Sequence, residues 1–299
     1  MSVKTSFAAI LACAAIAGCS PATPVKARIS TLEPIKQACA GRDGWSDAAP
    51  PAHIYANVYM VGTCGITSLL ITTPEGHFLI DGATAESAAG IAANIRKLGF
   101  EPKDVRYILA SHEHIDHAGG LAELKRITGG KFVTRMEAKS AMESGKPGPT
   151  DPQLGSLPPF EGLKADLVLR DGDKLNLGKQ MLTMIATPGH TPGGTSWTWK
   201  SCERAKCLQI VFSDSLNAVS ADTYRFTDHP TYVATLRNSI TLISSLENCD
   251  ILLSPHPGQS ELFDRLSDRS KLVDRTGCAR YAKGAEDRLE ARLAKEALN

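Results

Sequence analysis

Residues 105–120 read Val-Arg-Tyr-Ile-Leu-Ala-Ser-His-Glu-His-Ile-Asp-His-Ala-Gly-Gly, an apolar run that ends on a dense polar cluster. Val105 to Ala110 has the length and composition of a buried strand. Four side chains of metal-ligand type, His112, His114, Asp116 and His117, fall within the six residues 112–117 beyond it. In extended chain, side chains two apart share a side, so His112 and His114 face one point. Asp116 and His117 lie where the chain turns into a helix expected over 118–128, and they aim at a second point nearby. Ala118, Gly119 and Gly120 carry no bulk, which lets that helix start close against the sheet. Three histidines and an aspartate packed this tightly would each need a separate buried partner if they were only core residues. The segment therefore reads as metal ligands beyond the carboxyl end of a strand, where α/β sheets place their sites.

Two later segments repeat that placement. The strand-like run 181–186 leads into Thr187-Pro188-Gly189-His190-Thr191-Pro192-Gly193-Gly194, and 251–253 leads into Ser254-Pro255-His256-Pro257-Gly258. Pro257 biases His256 away from helix and Pro255 fixes its own φ, so this histidine sits on a stiff, extended loop. Five of the eight histidines occupy strand-end loops, and His53, His77 and His229 do not. Around these sites, 53–81 reads as a meander of three strand-like runs, 84–98 as a helix, and 166–170, 196–199 and 208–212 as further strands. Helices are expected at about 232–246 and at 285–298, the last with alternating charges that suggest a solvated face. Each half has strands first and an α/β unit after, which predicts an α/β fold of two packed sheets with helices outside. The Pro-rich stretch from 147 to about 159 is the most loop-like part and is placed to act as a flap over a site.

The chain has 299 residues, 42% of them apolar, with 33 Lys plus Arg against 32 Asp plus Glu. A net charge of +1 leaves no footprint for a nucleic-acid backbone, and the apolar content excludes disorder. Residues 1–20 read MSVKTSFAAILACAAIAGCS, with Lys4 ahead of an uncharged run: an export signal over 1–19, followed by one domain over 20–299. Ile16-Ala17-Gly18-Cys19 resembles a lipoprotein cleavage site, which would tether the mature chain to a membrane through a lipidated Cys19; simple cleavage near Ala17 or Ala22 is the alternative. Without Cys13 and Cys19, six of the eight cysteines remain, an even number that suits disulfides in an oxidising compartment. Six cysteines allow 15 pairings. Cys202 and Cys207 bracket four residues between two strand-like runs, as a bridge closing a hairpin would.

His112-x-His114-x-Asp116-His117, with His190 and His256 downstream, resembles the metallo-β-lactamase fold superfamily over nearly the whole mature chain. Finer features resemble subclass B3 of the metallo-β-lactamases: His117 directly after Asp116, Ser215 where other subclasses carry a cysteine ligand, the segment GHTPGGTSWTW, and SPHPG around His256. The closest likeness is to members with three disulfides, which implies the pairs Cys39–Cys64, Cys202–Cys207 and Cys249–Cys278. The resemblance implies an αβ/βα sandwich, two mixed β-sheets flanked by helices, holding two zinc ions. His112, His114 and His190 would hold the first, and Asp116, His117 and His256 the second. Three protein ligands per ion leave open positions, the mark of a catalytic site. Two zincs about 3.5–4 Å apart would share a hydroxide as nucleophile, held by Asp116, and stabilise the charge that develops as a β-lactam amide opens.

The implied activity is a periplasmic, zinc-dependent hydrolysis of penicillins, cephalosporins and carbapenems in a Gram-negative bacterium, by a monomer acting on small molecules. Ser215 and Asn217 match positions that meet the substrate carboxylate or a site water, and Gln153 on the Pro-rich loop is a further candidate. Asn217 departs from the Ser or Thr often found there. Asp81 would orient the metal loop from behind or serve only as a turn residue before Gly82. Glu113 alternates away from its neighbours and reads as a solvated carboxylate or one bracing the ligands. The alternative within the fold is a thioesterase of the glyoxalase II type or a lactonase, in which an Asp at the place of Asp214 bridges the metals.

Overall fold

The computed structural model describes residues 33–298. The expected export segment 1–19, Cys19 included, lies outside the described residues. Helix α1 (Ile35–Ala38) precedes strands β1 (Ala52–Tyr55), β2 (Val58–Met60), β3 (Leu69–Thr73) and β4 (Gly76–Ile80), and then α2 (Ala88–Lys97) and β5 (Val105–Leu109). Helices α3 (Ile115–Ala118) and α4 (Leu121–Thr128), strand β6 (Lys131–Arg135), helix α5 (Lys139–Ser144) and β7 (Leu167–Leu169) complete the first half. The second half holds β8 (Lys174–Leu177), β9 (Gln180–Ala186), β10 (Thr195–Glu203), β11 (Lys206–Phe212), α6 (Pro230–Ser244), β12 (Ile251–Leu253), α7 (Leu262–Ser267) and α8 (Gly277–Ala297).

Strands β1 to β7 form one sheet in sequence order, and the other has the order β12-β11-β10-β9-β8. Both sheets are mixed: β4, β5, β6 and β7 run parallel in succession, as do β11 and β12, and the remaining pairs are antiparallel. Period-two alternation sorts the side chains into layers. Leu69, Ile71, Phe78, Ile80 and Leu109 face Leu182, Met184, Trp197, Trp199 and Phe212 between the sheets. Their neighbours Leu70, Leu79 and Ile108 pack outward on Ile91, Ile95, Leu121 and Leu124 of α2 and α4. On the far side, Val211 and Leu252 pack against α6 and α8. Helix, sheet, sheet, helix is the sandwich expected from the sequence.

Four details differ from that expectation. The run expected as one strand over 54–62 folds back at Ala56-Asn57, where Ala56 has φ +48°, so the meander has four strands. Strand β8 is unexpected, though Gly178-Lys179 between Leu177 and Gln180 is a two-residue hairpin connection with glycine where φ is positive. Strand β6 and helix α5 were also not expected. The last helix is not a solvated face: it begins at Gly277 and buries Tyr281, Ala282, Ala285 and Leu289 against the α6 side of the sandwich. Its alternating charges occupy the remainder of its surface and masked that stripe.

Three disulfides join Cys39 to Cys64, Cys202 to Cys207 and Cys249 to Cys278, as the resemblance implied. Cys202 and Cys207 are direct partners across the β10–β11 hairpin. Cys249–Cys278 ties the start of β12 to the first turn of α8.

Candidate metal centre

Strands β5, β9 and β12 end on the same edge of the sandwich, and each hands its polar loop to one place. After β5, His112 and His114 are extended, and Ile115–Ala118 then forms the single turn α3, which presents Asp116 and His117. The helical path breaks at Gly119 and Gly120 and resumes in α4. The break brings two backbones together: Gly82 N–H donates to the His117 carbonyl at 2.8 Å, and Gly120 N–H to that of Ala83 at 2.9 Å. A Cβ on Gly120 would lie 2.2 Å from the Gly82 carbonyl oxygen, so no larger residue fits there without movement.

Nitrogens of His112, His114 and His190 gather so that all lie within 4.8 Å of one another, and one donor atom each from His112, Asp116 and His117 does the same. His256 joins the second group: His117 Nε2 lies 3.2 Å from Asp116 Oδ2, and His256 Nε2 lies 3.3 Å from His117 Nε2 and 3.5 Å from Asp116 Oδ2. Five imidazoles and one carboxylate, far apart in sequence, thus converge on two adjoining points. His112 Nε2 is fully buried and has no hydrogen-bond partner among the described residues. An orphaned nitrogen aimed at two other imidazoles is costly unless a cation takes its lone pair, so the donor set fits a metal ion.

The other nitrogen of each ring is occupied. Nδ1 of His112 lies 2.8 Å from Asp214 Oδ1, and that of His117 3.1 Å from Asp81 Oδ2. Nδ1 of His190 lies 2.9 Å from the Asn217 carbonyl, and that of His256 3.1 Å from the Gly65 carbonyl. An acceptor at Nδ1 fixes the proton there and leaves Nε2 free to ligate. His114 is reversed: its Nε2 lies 3.0 Å from Asp151 Oδ2, which turns Nδ1 inward. Asp81 proves to be both a turn residue and an orienting one. It has φ +62°, and its carboxylate accepts from Ser111 N–H and Ser111 Oγ–H, each at 2.6 Å, as well as from His117.

Electrostatics prepares the same atoms. Burial and the neighbouring imidazoles hold His112 well below the usual histidine range. Burial and His114 push His190 down to about 3, and burial with His117 pushes His256 down to about 4. These rings are neutral at pH 7, the ligating form. Burial alone would raise Asp116, yet His117 holds its carboxyl well below the usual range. Burial likewise lowers His117, but the Asp116 and Asp81 carboxylates outweigh it and lift the ring to about 10. The second point thus draws positive charge to itself.

The remaining expected residues divide. Ser215 is fully buried, and among the described residues its hydroxyl has no hydrogen-bond partner. Gln153 reaches the centre, its amide nitrogen 3.4 Å from His114 Nδ1. Asn217 meets the site by its backbone, because its side-chain oxygen accepts from Arg288 Nε at 2.7 Å. Glu113 is not solvated: it is 1% exposed and accepts from Thr191 Oγ1 at 2.9 Å and Gly193 N–H at 2.8 Å, which ties the β5 loop to the β9 loop. Sequence reasoning missed Asp151. It precedes Gln153 by two residues in a Pro-rich loop, and no periodicity links it to His114.

Two mixed sheets between helices, with His and Asp donors at the strand ends, are the architecture of the metallo-beta-lactamase superfamily, whose family model matches residues 61–204. Among solved structures, the metallo-β-lactamase MIM-1 from Novosphingobium pentaromativorans is 49% identical with a TM-score of 0.85, covering 88% of this chain and 97% of its own. MEM-A1, a subclass B3 metallo-β-lactamase from a soil metagenome library, is 40% identical with a TM-score of 0.82, covering 85% of this chain and 99% of its own. The chain belongs to the subclass B3 metallo-β-lactamases. Curated relatives are more distant: the N-acyl homoserine lactonase AttM of Agrobacterium fabrum is 30% identical over 166 residues, 43% of this chain and 57% of that protein.

Proposed function

We propose that the protein is a zinc-dependent β-lactamase that hydrolyses the cyclic amide of penicillins, cephalosporins and carbapenems. The observation that carries this reading is the convergence of five imidazoles, their inner nitrogens turned toward one place by bonds on their outer nitrogens, with the Asp116 carboxylate. His112, His114 and His190 would hold one zinc, and Asp116, His117 and His256 the other. Bound there, the pair would supply Lewis acidity toward the lactam carbonyl and would acidify a water. Asp116, held ionised, would accept a hydrogen bond from a water at the centre and so orient it. Ser215 and Gln153 offer polar atoms for the substrate carboxylate or its waters. Asn217 contributes the carbonyl that holds His190.

The lactonase or thioesterase alternative needs a carboxylate at 214 between the metals. Asp214 instead lies behind His112, bonded to its outer nitrogen, and burial raises its carboxyl well above the usual range. Export supports the β-lactamase reading. Residues 1–19 act as the signal, three disulfides suit the periplasm of a Gram-negative cell, and the sequence ending at Cys19 supports a lipid tether. Purified protein should turn over nitrocefin faster than an acyl-glutathione thioester or an acyl homoserine lactone. EDTA should abolish that turnover and zinc restore it, and clavulanate, which traps a serine acyl-enzyme, should leave it intact. Preferred turnover of the thioester or lactone, or indifference to EDTA, overturns the reading.

A further inference from the structure

The loop between α5 and β7 does more than lie over the centre. Asp151, near its middle, is 2% exposed. Its Oδ1 accepts from Gln153 N–H at 2.8 Å, a local turn that fixes the plane of the carboxylate, and its Oδ2 faces His114 Nε2 at 3.0 Å. A carboxylate taken out of water costs several kcal/mol unless its partners replace the solvent. An apolar residue would close the loop without that cost. The loop is also tied from behind, where Ala221 N–H donates to the Pro152 carbonyl at 2.8 Å. Ala221 follows Asn217, whose carbonyl holds His190, so the segments that orient His114 and His190 are bonded to each other.

Among the five converging histidines, His114 alone has its Nε2 turned outward, to a carboxylate that is not itself one of the converging donors; the other four are held from behind at Nδ1. Its ring stands edge-on to those of His112 and His190, with centroids 5.0 Å away in each case. Were its proton on Nδ1, an N–H would point at the place where the lone pairs of His112 and His190 meet. That tautomer cannot ligate. An acceptor at Nε2 is therefore what makes His114 a donor at all, and the acceptor is carried by the loop rather than by either sheet.

We propose that Asp151 is the positioning residue of the first metal point: it sets the tautomer and ring angle of His114, so that opening the Pro-rich loop and loosening the first ion are one event. The proposal rests on the zinc reading above, but part of its test does not need the metal. In chelator-treated protein, nitrogen-15 NMR of the histidine rings should show His114 protonated at Nε2 in the wild type and as a tautomer mixture in Asp151→Ala. Asp151→Asn keeps an acceptor oxygen and should keep the wild-type tautomer. Zinc competition titrations in a His256→Ala background, which retains the first site, should show affinity falling about 10- to 100-fold on adding Asp151→Ala. The loss with Asp151→Asn should stay under about tenfold. In a His190→Ala background, which retains the second site, Asp151→Ala should change affinity less than about twofold, whereas a general loosening of the fold weakens both sites alike. Melting curves confirm that each variant is folded. An unchanged His114 tautomer in Asp151→Ala, or equal losses at both sites, overturns the proposal. If the wild type takes up no zinc, the functional reading fails, and the tautomer measurement still decides the role of Asp151.

Discussion

Truncating Glu113 to alanine removes the carboxylate that bonds the β5 loop to the β9 loop at two points. Thr191 Oγ–H and Gly193 N–H, which donate to it at 2.9 and 2.8 Å, are left facing a void. A buried donor without an acceptor costs about 1–3 kcal/mol, so the two together cost about 2–6 kcal/mol. Relief from burying a carboxyl offsets part of this, and a net loss of about 3 kcal/mol is expected. For a protein of this size that is a fall of about 6–12 °C in melting temperature. Glu113→Gln keeps the shape and one acceptor oxygen for Gly193, and the Thr191 hydroxyl can rotate to accept from the new amide, so it should lose about 1 kcal/mol or less. The variants differ in pH response as well. Burial raises the Glu113 carboxyl, so the native chain keeps a proton that the unfolded chain has lost. Its ionisation therefore subtracts stability as pH rises from the ordinary carboxylate range, and the gap between wild type and Glu113→Gln narrows in that direction. Urea denaturation of chelator-treated protein measures all three without a contribution from bound metal. A Glu113→Ala variant within about 0.5 kcal/mol of wild type, or a glutamine variant as damaged as the alanine one, would refute the cross-brace.

Other outcomes follow from the same geometry. Gly120→Ala should destabilise by about 1–3 kcal/mol, because its Cβ meets the Gly82 carbonyl at 2.2 Å; a neutral melting curve would mean the α3–α4 junction gives way freely. Reduction of Cys39–Cys64 and Cys249–Cys278, which span 25 and 29 residues, should cost about 3–4 kcal/mol each by loop entropy, against about 2 kcal/mol for Cys202–Cys207. Single-pair serine variants followed by urea titration test that order. Metal-free protein should lose stability as pH falls from about 6.5 toward 4, since unfolded His190 and His256 take up protons that the native rings refuse. The slope is about 1.4 kcal/mol per pH unit for each. His117 acts oppositely: its contribution is complete below pH 6.5 and is lost as pH rises through about 10. Melting temperature across that range should peak near neutrality, and a flat acid limb would contradict the burial of neutral imidazoles.

Much of the site was legible because its features are local. Spacing within 112–117, the strand before it, and the small residues after it depend on backbone geometry that any reader of the chain can apply. The placement of His190 and His256 after strands extended that logic, and the hairpin bridge Cys202–Cys207 needed only adjacency. The four strands of the meander and the buried stripe of α8 were less visible. A turn at Ala56-Asn57 lacks the usual glycine, and an apolar stripe of Tyr281, Ala282, Ala285 and Leu289 is diluted by arginines and glutamates.

What the chain determines by itself is which side chains can bind and roughly which way each local group faces. Which nitrogen each histidine offers was decided by tertiary structure, through partners 27–191 residues away in sequence: Asp81, Asp214, Asp151, and the carbonyls of Asn217 and Gly65 for the rest. The reason is physical. Covalent spacing sets direction within a few residues, but an imidazole's tautomer is chosen by whichever acceptor packing delivers to its far side, and no periodicity in the sequence encodes that delivery.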